Sequence, residues 1–323
     1  MSDASIRCWG AATPFDLREA PTRATSQALA QDKAAGAVSA GESCVCAILR
    51  GENTVRCWGH VPLYVEDGAQ KWTSNRAFVD VVIPRVFNLA ATGANSICAT
   101  TTTGEAYCWG RGSPGIDETK PTVLRVPLVS KLEMVSTGIA EDCGLDEKGS
   151  VWCWEHTRGA VPKPKRVALA SPAASISASG LHACAILRDE HTVACWGHND
   201  AGQLGNGSTI DSPAPVVVQG LDSGAMMLSV GRNHTCALVR QAVWCWGNNR
   251  YGQLGDGTVD DRPMPVRVPL DGAAIAVAAG GAHTCALLAT RSIFCWGRNA
   301  TGELGDGTLV SHTSPLRLRT AVD

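Results

Sequence analysis

Short apolar runs, alternating in the manner of half-buried strands, recur along the whole chain between polar, glycine-rich stretches. One passage carries the pattern clearly. Met227–Gly231 is a short apolar run, His234–Val239 (HTCALV) alternates, Ala242–Gly247 (AVWCWG) alternates again, and a glycine-rich loop then leads to Pro265–Val268 (PVRV). Period-two runs bounded by turn residues read as strands, and no stretch long enough for a helix combines a 3.6-residue period with freedom from glycine and proline. The pattern therefore predicts four short strands per unit and no helix.

The unit repeats. A Cys-Trp step occurs at Cys8, Cys57, Cys108, Cys153, Cys195, Cys245 and Cys295, and the polar loop G-x-L-G-[DN]-G follows the last three. A period of about 42–51 residues built of strands and turns is the signature of propeller blades. The expected fold is an all-β propeller of about seven four-stranded blades in a single domain over 1–323. Six units are complete and the N-terminal one is partial: Ser5–Gly10 reads as the third strand of a blade, and Ser314–Arg319 as a last strand. The missing arm leads to the expectation of a fragment, or of a misplaced gene start. The second, third and fourth units depart from the loop motif, most of all over His60–Asn88.

The hairpin register follows from turn length. A two-residue turn at Arg240-Gln241 sets Val239 opposite Ala242 and hence Cys236 opposite Cys245, in a non-hydrogen-bonded pair whose Cα atoms lie roughly 4.5 Å apart. That is within disulfide reach. Where the cysteines stand ten apart, the turns Thr102-Thr103-Gly104 and Glu147-Lys148-Gly149 have the glycine that a three-residue loop with a bulge requires. The candidate pairs are Cys46/Cys57, Cys98/Cys108, Cys143/Cys153, Cys184/Cys195, Cys236/Cys245 and Cys285/Cys295, with Cys8 and Cys44 left over, to pair with each other or, for Cys8, with a cysteine of the missing arm. Reduced, packed cysteines are one alternative. Metal ligation is another, but it lacks the close second pair that zinc sites use. Disulfides imply an oxidising compartment.

With His234-Thr235-Cys236-Ala237-Leu238, Cys245-Trp246-Gly247-Asn248-Asn249 and Gly252-Gln253-Leu254-Gly255, the chain resembles the regulator of chromosome condensation repeat family. The resemblance implies a seven-bladed propeller. Known members include exchange factors for a Ran-type GTPase, plant ultraviolet-B photoreceptors and secreted inhibitors of β-lactamase. Cysteine in both hairpin arms is similar to the copies common in exported bacterial proteins. Fold alone does not select among these roles.

The formal net charge of −2 gives no electrostatic footprint for nucleic acid, and no stretch is apolar enough for a membrane span. The ten tryptophans read as packing between blades, since photoreceptor members carry Trp just ahead of the His-Thr step and Gly231-Arg232-Asn233 does not. His182, His234 and His283 recur once per unit, which suggests a repeated hydrogen bond to a neighbouring turn. Asp256-Gly257-Thr258 and Asp306-Gly307-Thr308 read as turns and lack the ligand density of a calcium loop. No catalytic, cofactor or metal set is readable. Aromatic and arginine side chains dominate interfaces, which makes Tyr64, Trp72, Arg76 and Phe78, in the irregular second unit, the candidate partner-binding residues. The reading is a non-enzymatic, monomeric scaffold that binds another protein in the extracellular space or cell envelope. The alternatives are guanine-nucleotide exchange in the cytoplasm and a propeller enzyme acting on polysaccharide.

Overall fold

The structure, a computed structural model, describes residues 7–10, 23–28, 34–41, 44–59, 79–92, 96–109, 123–127, 130–155, 163–221 and 223–318. The chain divides into two compact units, Met1–Arg166 and Val167–Asp323. The described residues form antiparallel sheets joined by turns, with no helix among them.

The first unit opens on a two-stranded sheet, β1 (Arg7–Gly10) with β2 (Arg23–Ala28). Three four-stranded meanders follow. They are β3 (Ala35–Ala40), β4 (Cys44–Leu49), β5 (Thr54–Gly59) and β6 (Val79–Val82); β7 (Val86–Thr92), β8 (Ser96–Thr101), β9 (Ala106–Trp109) and β10 (Leu124–Arg125); and β11 (Leu132–Thr137), β12 (Glu141–Asp146), β13 (Val151–Glu155) and β14 (Lys165–Arg166). The second unit has three more: β15 (Ala173–Ser179), β16 (His182–Leu187), β17 (Val193–Gly197) and β18 (Ser212–Val217); β19 (Ala225–Val230), β20 (His234–Val239), β21 (Ala242–Gly247) and β22 (Arg262–Arg267); and β23 (Ala274–Ala279), β24 (His283–Leu288), β25 (Ile293–Gly297) and β26 (His312–Arg317). Each sheet is one blade of the expected all-β propeller.

The central hairpins match the register expected from turn chemistry. Cys236 faces Cys245, and the turn residues Arg240 and Gln241 both take positive φ, 47° and 68°. That is the type I′ geometry whose twist suits a two-residue hairpin. Gly104 and Gly149 take the left-handed third position of the three-residue loops, at 81° and 82°. In a third hairpin of that length Arg291 holds this position without glycine, at 68°. All six candidate pairs are disulfides, with Cα atoms 4.0–4.1 Å apart. Cys44 is a free, buried thiol, and burial pushes its pKa up to about 12.

Strand bounds differ from expectation in the first and fourth strands of the repeat, and the last strand is His312–Arg317 rather than Ser314–Arg319. The fourth strand of the repeat starts at Arg262 rather than Pro265, so Pro263 and Pro265 lie inside it. Proline is tolerated there because β22 is an edge strand with one side unpaired. The first strand starts at Ala225 rather than Met227, because a bulge between Ala225 and Met227 lets Met226 go unpaired. The same bulge recurs at the start of β3, β7, β11, β15 and β23.

Tryptophan joins blade to blade within each unit. Trp246 packs with Cys184, Cys195 and Leu204 of the preceding blade, and Trp296 with Cys236, Cys245 and Leu254. In the first unit Trp109 and Trp154 pack on their preceding blades in the same way. A buried indole of this kind removes a large apolar area from water.

Candidate functional site

In the second unit the loop after each Cys-Trp-Gly step is built on one buried asparagine: Asn199, Asn249 or Asn299. Asn249 shows the arrangement. Its Nδ2 donates to Asp256 Oδ1 (3.1 Å) and to the Thr258 carbonyl (3.2 Å), while its Oδ1 accepts the Leu254 N–H (3.0 Å). Its own N–H donates to Asp261 Oδ1 at the far side of the loop. Asn199 and Asn299 repeat the side-chain bonds with Asn206 or Asp306, Ser208 or Thr308, and Leu204 or Leu304. One amide thus replaces the backbone partners that a thirteen-residue excursion such as Asn249–Asp261 would otherwise lack. Replacing Asn249 by alanine should cost about 2–4 kcal/mol, because it orphans buried groups as well as removing bonds. Urea denaturation of the variant measures this, and a loss of only a few tenths would contradict the hub role.

The aspartates after the hub are engaged within their own loops. Asp256 accepts from Asn249, from the Thr258 N–H and hydroxyl, and from Arg262 Nε. Its pKa is lowered: burial pushes it up, but the bonds from Thr258, Arg262 and Asn249 outweigh that. Asp306 behaves likewise, with His312 beside it. The turn reading of these Asp-Gly pairs therefore has a full set of partners.

The glycine ending G-x-L-G is set by the next blade. A Cβ on Gly255 would lie 2.6 Å from the Trp296 indole nitrogen, which donates to the Gln253 carbonyl (2.9 Å). Trp246 bonds the Gln203 carbonyl in the same manner. Those carbonyls also accept from threonine: Thr235 Oγ1 to Gln203 O (2.9 Å) and Thr284 Oγ1 to Gln253 O (2.8 Å). A hydroxyl has one proton, so the imidazoles facing these threonines must be the donors. His182 Nε2 donates to Thr235 (2.8 Å) and His234 Nε2 to Thr284 (2.9 Å). The repeated histidine thus bonds a strand threonine of the next blade, and the threonine reaches the turn. Both rings are neutral Nε2–H tautomers, and their Nδ1 atoms meet no donor among the described residues. Burial holds both pKa values down at about 3, with nearby imidazoles adding a smaller lowering.

In the first unit the seam uses other residues. Ser96 stands where the histidine would be and donates to Asp142 Oδ1 (2.9 Å), which stands where the threonine would be. The other Asp142 oxygen lies 3.5 Å from Cys98 Sγ. Cys98, Cys108 and Asp142, and likewise Glu141, Cys143 and Cys153, are close enough to suggest metal ligands. Their sulfurs are joined in disulfides, however, and present no thiolates.

The braced loops point exposed apolar side chains outward: Ile210 (76% exposed), Val259 (56%), Leu309 and Val310. Nearby, the Arg298 guanidinium lies 5.9 Å from the centre of the Tyr251 ring and pairs with Glu303. None of these stands out in the sequence. The asparagine hub does leave a signal there, since Asn recurs three residues after each Cys-Trp of the last three blades. The expected partner-binding residues Tyr64, Trp72, Arg76 and Phe78 lie outside the described residues.

Comparison with known proteins places these repeats. The Regulator of chromosome condensation (RCC1) repeat matches residues 190–238 and 242–287, and a second description of that repeat matches 173–203, 228–253 and 274–303. Over 54 residues the chain is 43% identical to the Protein RCC2 homolog of Danio rerio, a stretch that is 16% of this chain and 11% of that protein. The structure is similar to that of Prp20p from Saccharomyces cerevisiae, with TM-score 0.80 and 21% identity over 98% of this chain and 86% of the other. It is also similar to human WBSCR16, with TM-score 0.79 and 17% identity over 93% and 86%. Repeats, strand order and structural likeness agree: residues 173–303 carry regulator of chromosome condensation repeats, and the chain has the β-propeller fold of the solved structures that it resembles.

Proposed function

We propose that this protein is a non-catalytic binding scaffold, exported from a bacterial cell, that presents rigid loops to another protein. The observation that carries this reading is the set of asparagine-braced loops with apolar tips at Ile210, Val259 and Leu309. Apolar side chains held on a pre-organised backbone lose little entropy on binding. Export is supported by six disulfides, which persist in oxidising compartments and rarely in the cytosol. Prp20p, similar in fold, has binding properties toward Gsp1p and histones. Nucleotide exchange on a GTPase is the reading to be set against ours.

Two measurements test the proposal. The oxidised protein should leave nucleotide release unchanged when mixed with a Ran-type GTPase carrying a fluorescent guanine nucleotide; accelerated release would overturn the scaffold reading. A photo-crosslinker placed at Val259 should capture a stoichiometric protein partner from the extracellular fraction. Ile210→Asp should abolish that capture without lowering the melting temperature. Capture that survives Ile210→Asp would remove the braced loops from the binding role.

A further inference from the structure

The three braced loops share one dipeptide step. Each hub asparagine bonds a side chain that glycine follows at once: Asn206-Gly207, Asp256-Gly257 and Asp306-Gly307. The glycine is required, since Gly207, Gly257 and Gly307 stand at positive φ, 78°, 85° and 86°. An acceptor is required before it, because Oδ1 of each preceding residue takes the hub amide and the N–H two residues on. Two loops meet this demand with aspartate and one with asparagine. The opposite strand accounts for the difference. Asp256 has Arg262 beside its second oxygen, and Asp306 has His312. The matching residue of β18 is Ser212, which faces Gly197 as Arg262 faces Gly247, and its hydroxyl donates to the Ala214 carbonyl. With a neutral residue there, a neutral amide suits the loop.

That amide sits in a reactive setting. Asn206-Gly207 is the only Asn-Gly step in the chain. Glycine has no Cβ to screen its nitrogen. Gly207 is exposed and Asn206 half-buried, so water and hydroxide reach the step. Asn206 Oδ1 accepts from Asn199 Nδ2 (3.3 Å) and from the Ser208 N–H (3.2 Å). These two donors polarise the amide carbon and stabilise the charge that the oxygen gains when a nucleophile adds to it. One bond acts against the reaction. The Gly207 N–H donates to the Pro263 carbonyl (2.9 Å) on β22 of the next blade, which holds the nucleophile and its proton.

We propose that Asn206 is a site of spontaneous deamidation, with water as the co-reactant and the contact to Pro263 as its gate. When the contact opens, hydroxide removes the Gly207 amide proton, and the nitrogen bonds to the Asn206 side-chain carbonyl carbon. The bond from that carbon to its own nitrogen breaks, and ammonia leaves with a proton from water. The product is a succinimide ring. Water then opens the ring at either carbonyl, giving aspartate or isoaspartate. One water is consumed, one ammonia is released and nothing is oxidised. Aspartate is the residue that the other two loops already carry. Isoaspartate runs the main chain through the former side-chain methylene, which lengthens the loop leading to Ile210 and takes Oδ1 away from Asn199. The site does not depend on the scaffold reading.

The test incubates the full oxidised chain at pH 8.5 in water enriched in oxygen-18. Peptide mass spectrometry locates the label, and a methyltransferase specific for isoaspartate reads the second product. Label should enter at residue 206 ahead of every other asparagine, as both aspartate and isoaspartate. It should enter at least tenfold faster in chain reduced and unfolded in urea, where Pro263 no longer holds Gly207. Gly202→Ala, whose Cβ would lie 2.4 Å from Pro263 Cα, should loosen the contact and raise the native rate several-fold. Asn206→Gln should remove the label from that position.

No label at residue 206 in the native chain would overturn the proposal, as would faster labelling of another asparagine. Equal rates in native and unfolded chain, or a rate unmoved by Gly202→Ala, would overturn the gate.

Discussion

Acidification from pH 7 to pH 5 should remove roughly 4 kcal/mol of stability through His182 and His234 alone, at about 1.4 kcal/mol per pH unit for each ring. Burial is the main cause, and it lowers both pKa values from 6.5 to about 3. Above pH 6.5 the rings are neutral in both folded and unfolded chains, and pH has no hold on them. Between 6.5 and 3 the unfolded chain takes up the two protons and the folded chain does not, so stability falls as pH falls. Below 3 this loss is complete. His283, also lowered by burial, adds to the same slope.

The carboxylates act in the same direction at lower pH. Asp256, Asp306, Asp146 and Glu303 have pKa values held below the usual range by hydrogen bonds that outweigh burial. Their contribution is present above the ordinary carboxylate pKa and is lost as the pH falls through the lowered values. Urea denaturation at a series of pH values measures the whole effect. In His234→Gln the amide can still donate to Thr284 but does not titrate, so the slope between pH 6 and 4 should fall by about one proton's worth, 1.4 kcal/mol per unit. A stability curve that stays flat from pH 7 to 5 would show that the buried imidazoles accept protons in place.

Reduction should unfold the protein. The six disulfides close loops of 9–11 residues. By the chain-entropy argument each contributes roughly 2.5–3 kcal/mol. Together they exceed the ~5–15 kcal/mol by which domains are ordinarily stable, and those of Cys184–Cys195 and Cys236–Cys245 are buried against the tryptophan of the next blade. Intact mass should be twelve hydrogens lighter before reduction than after, with every cross-link mapping inside one hairpin. Loss of the near-ultraviolet circular dichroism of the tryptophans should accompany reduction. A fully reduced chain that keeps its tryptophan signal and its urea midpoint would mean that packing alone holds the blades, and would return the cytoplasmic reading to first place.

The hairpins are legible in the sequence because turn chemistry and cysteine spacing constrain one another. β20 and β21 have the bounds expected of them, and the Cys236–Cys245 register follows from two turn residues. The fourth strand is harder, since the prolines of RPMPVR look like breakers until it is known that β22 has a free edge. Arg291 in a glycine position and Met226 in a bulge leave no local trace, because the neighbouring strands impose them. The histidine role is half visible. Recurrence implies a structural bond, but its partner is a threonine some fifty residues away on the next blade. The asparagine hubs escape notice because Asn in a polar loop reads as a turn former, and only burial distinguishes Asn249 from Asn248.

The seams between blades are keyed rather than uniform. Histidine meets threonine at two of them, between β16 and β20 and between β20 and β24, while serine meets aspartate between β8 and β12. A gene that grows by duplicating whole repeats must therefore copy matched neighbours. Exchanging the β11–β14 blade with the β19–β22 blade would set a serine against a threonine at one junction and leave an aspartate carboxyl facing an imidazole at another. Shuffled descendants of this chain should be selected for restored pairs across the junction, so that the two residues of a seam change together while the strands around them drift.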